Sequence, residues 1–373
     1  MKTIKTVKTC IETPWLGRVT KKKRFMPSDG DILLSDKLPL VNAFGRKFIL
    51  PSDIDVDNNT TVYVSHSDIA RLNEGDIISI TKEGEIHVLW EESSSDNAIF
   101  TTDFCNSACI MCPQIPKGEP FSYFEQNVKM LELVRNSDNL ATIGITGGEP
   151  TIFKDEIVKL LELCSKKFPS VPIAILTNGK NFDDFDFAKQ CALANYRTTY
   201  CIPLYASYSE KHDHIVGTKG SFIRTINGIY NLIRLRQSIE IRVVILRQNY
   251  EDLPLMVDYI YQNMPFVVHI ALMGMEITGM ADVNSTSVWI DPTDYQPQLK
   301  EAVIRLRRYG LPFSLYNLPR CLLARELWGY DEDSISSWKK SYLAVCDKCA
   351  EKERCCGVFA TSSKHSPHIN PIS

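Results

Sequence analysis

The strongest constraint on folding lies between residues 98 and 275, where six apolar runs alternate with helix-length segments. The runs are "AIFTT", "TIGITGG", "PIAILTNG", "TTYCIPLY", "IEIRVVIL" and "VVHIALMG", and the segments between them include "KDEIVKLLELCSKKF" and "SFIRTINGIYNLIRLRQ". In the first segment Ile157, Leu160, Leu161 and Cys164 follow the i, i+3, i+4, i+7 spacing of one helix face. Strands joined through helices pair in parallel, because each crossover returns the chain to start in the same direction. The expected core is therefore a parallel α/β sheet, either open and doubly wound or an incomplete barrel. In both, ligands bind at the carboxyl ends of the strands.

The flanks have different patterns. Residues 1–95 show short β-branched runs such as "DILLS", "TTVYVS", "DIISIT" and "EIHVLW", broken by turn residues, which predicts a small β-rich domain. "EESSSDN" at 91–97 is a polar linker. Beyond 290 the pattern predicts a helix at about 296–309, a short strand "PFSLYN" and a cysteine-rich tail. The expected parts are thus an amino-terminal domain at 1–95, suited to docking a substrate or partner, a core at 96–290 and an extension at 291–373.

Lys plus Arg number 42 against 45 Asp plus Glu, and a net charge of −3 gives no global argument for nucleic acid or an anionic membrane. The basic run "KKKR" at 21–24 reads as a solvated face. No secretory signal is visible in the first twenty residues, and no apolar run approaches the roughly 20 residues of a spanning helix. A cytoplasmic location follows as the expectation. There thiols stay reduced, and grouped cysteines hold metal more often than they form disulfides.

Of twelve cysteines, Cys10, Cys164, Cys191 and Cys201 are isolated and read as small buried hydrophobes. The others are grouped. "DFCNSACIMCPQ" places Cys105, Cys109 and Cys112 in a C-x3-C-x2-C loop just after the first strand. Thiolate sulfur selects zinc, copper(I) or iron–sulfur clusters, yet this loop supplies three ligands where a closed tetrahedral site takes four. One βα unit later the second strand ends in "GITGGEP". Its glycines let backbone approach a ligand, and Glu149 can accept from an amine.

Together the Cys loop and "GGE" resemble the radical S-adenosylmethionine (SAM) superfamily. The resemblance implies an α/β fold, a partial (βα)6 TIM-like barrel, with the β-rich amino-terminal domain and a cysteine-rich carboxyl-terminal extension attached. It implies that Cys105, Cys109 and Cys112 bind three irons of a [4Fe–4S] cluster whose fourth iron chelates SAM. One electron then cleaves SAM to a 5′-deoxyadenosyl radical, which abstracts hydrogen from a substrate. Met111 stands where the family often has an aromatic residue before the third cysteine. Carried over residue by residue, Gly147, Gly148 and Glu149 meet the SAM amino group. Thr177 and Asn178 in "LTNG", Tyr205 and Ser207 in "IPLYAS", and Arg242 in "IEIRVVIL" are further SAM-binding candidates, Arg242 toward the carboxylate.

The second group, "CDKCAEKERCCG", gives Cys346, Cys349, Cys355 and Cys356, with Cys321 upstream. Spacing alone fits structural zinc. Beside a radical SAM core it looks like a twitch or SPASM-type extension carrying an auxiliary [4Fe–4S] cluster on Cys321, Cys346, Cys349 and Cys355. Cys355 is preferred over Cys356 because relatives tend to show a Gly-Gly pair after the last ligand. "CNSACIMCPQIPKGE", "GITGGEPT", "NLPRCLL", "SISSWKKSYLAVCDKC" and "CCGVFATSSKHS" look like the His-Xaa-Ser system radical SAM maturase of the HxsC type over nearly the whole chain. That resemblance implies modification of a ribosomally made peptide or protein with His-Xaa-Ser repeats. It also implies a second radical SAM protein, a small accessory protein and an external electron donor. Rival readings are action on RNA or a small molecule, or a non-catalytic zinc-binding or iron–sulfur-binding module. His212, His214 and His365 are acid or base candidates by residue type alone.

Overall fold

A computed structural model describes residues 2–9, 11–21, 30–35, 47–54, 60–116, 118–135 and 138–373. Cys10 and residues 22–24 of the basic run lie outside them. The chain divides into two compact units, one of residues 1–101, 122–146 and 163–173, the other of 102–121, 147–162 and 174–373.

In the first unit, eight strands form a mixed sheet: β1 (Lys2–Lys5), β2 (Lys8–Thr9), β3 (Trp15–Thr20), β4 (Asp31–Leu34), β5 (Lys47–Pro51), β6 (Thr61–Val64), β7 (Ile77–Ile80) and β8 (Glu85–Trp90). Their order is β1-β8-β7-β3-β4-β5-β6-β2. The end strands β1 and β2 are consecutive pieces of one segment, so residues 2–9 pair with β8 at one end of the sheet and with β6 at the other. Thr6 and Val7 continue this bridge through backbone bonds to Gly84 and Tyr63. Alternation in β3 turns Trp15 and Val19 into a core with Ile4, Ile32, Ile49, Val62, Ile78 and Ile86. A groove of about 350 Å³ opens between this sheet and the helix Phe124–Leu133, lined by residues that include Trp15, Ile80, His87, Tyr123 and Lys129.

The second sheet contains β9 (Asp96–Phe100), β10 (Thr142–Thr146), β11 (Ile173–Leu176), β12 (Thr198–Pro203), β13 (Ser238–Val244), β14 (His269–Met273), β15 (Phe313–Tyr316) and β16 (Asp331–Glu332). Their spatial order is their chain order. An open doubly wound sheet reverses direction at a switch point, whereas sequential order is that of a curled barrel wall, so the partial-barrel expectation holds. β9 to β14 are the six predicted strands, and β15 and β16 extend the wall. Neighbours from β12 to β16 run parallel.

The two faces of these strands explain their composition. On β13, Ile239, Ile241 and Val243 are buried on one face, while Glu240, Arg242 and Val244 alternate onto the other. The helix Ser221–Arg234 buries Phe222, Thr225, Ile229 and Leu232. Ile157, Leu160, Leu161 and Cys164 are all buried, as their helical spacing predicts. Cys191 and Cys201 are buried too, with thiols pushed up to about 12 by desolvation.

The carboxyl-terminal cysteines sit in a loop closed by a short antiparallel pair, β17 (Lys340–Ser341) with β18 (Val358–Phe359). Among the described residues no helix is long and apolar enough to cross a membrane.

Candidate metal centre

The loop after β9 carries the three cysteines, and four other segments fix its course. The segment after β10 pairs with its start: Gly148 N–H donates to Thr102 O at 2.7 Å, and Glu149 N–H to Phe104 O at 2.9 Å. A Cβ on Gly148 would lie 2.2 Å from Phe104 O and 2.6 Å from the same carbonyl carbon. Only glycine allows this approach.

The helix Ser209–Val216 holds the loop's middle. Ala108 N–H donates to Val216 O at 3.1 Å and Ile110 N–H to Ile215 O at 3.0 Å. Gly217 ends that helix at φ +68°, and a Cβ there would meet Ala108 O at 2.3 Å. After β14, Met280 N–H donates to Cys112 O at 2.8 Å, and Asn284 Nδ2 to Ile110 O at 2.8 Å. Met111 is buried among Tyr205, Ile215, Val216, Leu246, Ala281 and Val288, with Cys109 against the same cluster.

The fourth brace is the turn after β11. Asn178 Nδ2 donates to Asn106 Oδ1 at 2.7 Å, and Lys180 Nζ to Asn106 O at 2.7 Å. Glu149 joins this turn to the segment after β10. Fully buried, its Oε1 accepts from Thr151 N, Thr151 Oγ1 and Thr177 Oγ1, and its Oε2 accepts from Asn178 N at 2.7 Å. Four donors on one carboxylate satisfy its charge without a cation in direct contact.

The three thiols share one electrostatic neighbourhood. Burial first, then Glu149 and Cys112, push Cys105 up to about 11; burial, Cys112 and Cys105 push Cys109 up to about 12. Cys112 is also raised by burial. Such thiols hold their protons until a cation displaces them, which is the donor chemistry of a soft-metal site. Among the described residues no three His, Cys, Asp or Glu side chains gather as tightly as a single ion requires. A multi-iron cluster asks less convergence of the sulfurs, since each meets a different iron. Three thiols on one loop that act on one another electrostatically are the donor set such a cluster takes.

Tyr205 is buried at 7% exposure with its ring in the field of all three thiols, and Ser207 is half-buried two residues on. Tyr205 N–H donates to Nδ1 of His212 at 3.3 Å, which requires the acceptor nitrogen of a neutral ring. Burial holds His212 down at about 4, against its ordinary 6.5. The unfolded chain therefore takes this proton more readily, and His212 withdraws stability as pH falls from 6.5 toward 4. That loss is on the order of 3 kcal/mol. His212→Asn, whose Oδ1 can replace Nδ1, is expected to flatten this acid dependence. Urea unfolding of both proteins at pH 7 and 4.5 checks it; an equal loss in the variant would assign the dependence elsewhere.

Arg242 is engaged apart from the Cys loop. Its Nε donates to Glu240 Oε1 at 2.5 Å, Glu240 Oε2 lies 3.0 Å from His269 Nδ1, and His269 Nε2 lies 3.0 Å from Ser314 Oγ. Burial works against an ionised Glu240, but His269 and Arg242 hold it down at about 2. His214 is exposed, and His365 lines a small cavity near Trp289 and Val358.

At the carboxyl-terminal cysteines, Cys321 feels the charge of Cys355 and Cys346. Cys349 Sγ accepts from Ile372 N at 3.3 Å. Cys355 is held down at about 6, chiefly by a hydrogen bond from Cys356, whose own thiol is buried, raised and directed to Gly357 O at 3.4 Å. Arg320, next to Cys321, staples the loop by bonds to Asp331 at 2.6 Å and Glu351 at 2.7 Å.

Sequence reasoning missed Asn106, Lys180 and Gly217. A glycine directly after "HDHIV" was a helix-end signal; a lysine after "LTNG" carried none.

A sequentially wound parallel half-barrel with a three-thiol loop at its carboxyl-terminal side defines a cofactor-binding α/β domain. Residues 99–260 match the family model of the radical SAM superfamily, and the chain carries a domain of that superfamily. No curated protein matches its sequence. Similar solved structures include Streptococcus suis SuiB bound to S-adenosylmethionine, at 17% identity and TM-score 0.47 over 59% of this chain and 50% of that one. Another is native anSMEcpe with bound AdoMet, at 16% and 0.44 over 58% and 64%. A third is a radical SAM methyltransferase from Sphaerobacter thermophilus, at 12% and 0.43 over 65% and 73%. The matched region spans about half the length of SuiB.

Proposed function

We propose that the protein is a radical SAM enzyme that modifies a ribosomally synthesised peptide or protein bearing His-Xaa-Ser repeats. The observation that carries the enzymatic part is the meeting of three half-buried thiols with Gly148, Glu149 and Asn178 around one loop. A [4Fe–4S] cluster on Cys105, Cys109 and Cys112 would supply the electron for reductive cleavage of SAM to the 5′-deoxyadenosyl radical that takes hydrogen from the substrate.

The chain's own residues bind and orient. Gly147, Gly148 and Glu149 would receive the SAM amino group, Glu149 by giving up one of its four internal donors, while Thr177, Asn178, Tyr205 and Ser207 line the remainder and Arg242 would exchange Glu240 for the SAM carboxylate. Cys321, Cys346, Cys349 and Cys355 hold an auxiliary [4Fe–4S] cluster. The charge of Cys355 and Cys346 felt at Cys321 supports this set, as does the bond of the buried Cys356 thiol to Gly357 O. Residues 1–95 dock the substrate or a partner, 96–290 are the catalytic core, and 291–373 form the extension. The groove beside Trp15 and His87 supports docking better than strand addition does, because one segment occupies both ends of the sheet. A second radical SAM protein, a small accessory protein and an external electron donor complete the system, in the cytoplasm.

Anaerobic purification should yield a brown protein with roughly eight irons per chain if both clusters are cubanes. Mass spectrometry of a co-expressed His-Xaa-Ser repeat peptide should show a mass change or an exchanged hydrogen. Colourless protein holding zinc would sink the enzymatic reading, and iron with SAM cleavage but an unaltered peptide would sink the substrate. Replacing Cys346 and Cys349 by Ala should leave uncoupled SAM cleavage at least partly intact while ending peptide modification. Loss of all cleavage in a folded variant that keeps the first cluster would overturn this division of roles.

A further inference from the structure

We infer that Lys180 is an electrostatic positioning residue for the first cysteine loop, its ammonium offsetting the negative charge of a cluster held by Cys105, Cys109 and Cys112 and so easing that cluster's reduction. This rests on reading the three thiols as a cluster site. Lysine is almost never fully buried unless paired, yet Lys180 is 2% exposed. Its Nζ is fixed on the carbonyl of Asn106, the residue after the first cysteine, at 2.7 Å. Burial lowers its hold on the proton, while Cys105, Glu149 and Cys109 act to keep it charged, and both thiols feel it in return.

The surrounding groups make this charge effective. Lys180 begins a tight turn, Lys180–Asp183, after Gly179 at φ +78°, and its N–H donates to Asn178 Oδ1 at 3.1 Å. Arg224, which also faces Lys180, is committed to Asp183 by bonds of 2.7 and 3.3 Å. His212 stands nearby as a neutral ring. The four donors on Glu149 satisfy its carboxylate, so the ammonium is not needed to balance that side chain. With a cluster bound, three thiolates would concentrate negative charge beside it. Adding one electron to a group bound there adds another, and a fixed cation stabilises the reduced form more than the oxidised one.

Lys180→Gln keeps an N–H donor for Asn106 O and removes the charge, and Lys180→Arg keeps the charge. The full chain, reconstituted anaerobically without SAM, is titrated with a reductant and followed by electron paramagnetic resonance. The signal that Cys109→Ala removes identifies the first cluster. Lys180→Gln is expected to make its reduction about tenfold less favourable, a potential roughly 59 mV lower for one electron, with Lys180→Arg close to wild type. Loss of first-cluster iron in Lys180→Gln alone would also support a need for the charge. An unchanged potential in Lys180→Gln, an equal shift in Lys180→Arg, or iron loss in both variants overturns the inference alone. A wild-type chain that takes up no cluster overturns it together with the reading beneath it.

Discussion

Replacing Cys109 by Ala is expected to reduce 5′-deoxyadenosine production to background while the protein keeps its fold and roughly four of about eight irons, those of the auxiliary site. The same holds for Cys105 and Cys112. Each thiol is one of three donors, and a site deprived of one keeps two, too few to hold a cluster against solvent. The structural cost is small. Deleting one sulfur removes about as much buried surface as a methylene, on the order of 1 kcal/mol, and the backbone braces from Val216, Ile215 and Met280 do not use the side chain. Iron content, circular dichroism and product quantification therefore separate loss of ligand from loss of fold. Wild-type turnover in Cys109→Ala would mean that the loop does not hold the reactive cluster.

Gly148→Ala should do nearly as much damage without touching a ligand. Its Cβ would sit 2.2 Å from Phe104 O and 3.0 Å from Asp103 O, both backbone atoms that cannot rotate away. Either the segment after β10 or the start of the Cys loop must shift, at a cost of about 1–3 kcal/mol. Displacing Phe104 displaces Cys105 beside it, so first-cluster iron and SAM cleavage should fall together. Gly144→Ala is the internal control, since its Cβ would meet Ala98 Cβ at 3.6 Å in ordinary contact. Its stability should stay within about 0.5 kcal/mol of wild type. Equal iron and activity in the two variants would show that the loop tolerates movement at its root.

The sheet wall was legible because its strands are short apolar runs that alternate with helical periodicity, as in "IEIRVVIL" and "DEIVKLLELC". The cysteine loop and "GGE" were legible for a related reason: the spacing of ligands and glycines is local in sequence. Three features were not. The alternating runs in 1–95 predicted strands there, but pairing residues 2–9 with both β8 and β6 depends on partners up to 86 positions away. The helix Ser209–Val216 is rich in charged and histidine residues, and it earns its place by bracing Ala108 and Ile110. Lys180 looks from sequence like a solvated lysine, because burial beside Cys105 arises only once the turns after β9 and β11 meet. Arg242 shows the converse. Its strand face is readable, but the pairing with Glu240 two residues earlier depends on side-chain rotamers that spacing does not specify.

The bridging segment of the amino-terminal sheet bears on the order in which this protein assembles. Lys2–Lys5 cannot take up its hydrogen bonds until Glu85–Val88 exists, so this segment waits for the strands that follow it. Contacts of such separation close late and slow folding. During synthesis this lysine-rich segment would stay unpaired while β7 and β8 form, which leaves a charged strand, rather than an apolar one, waiting for its partners.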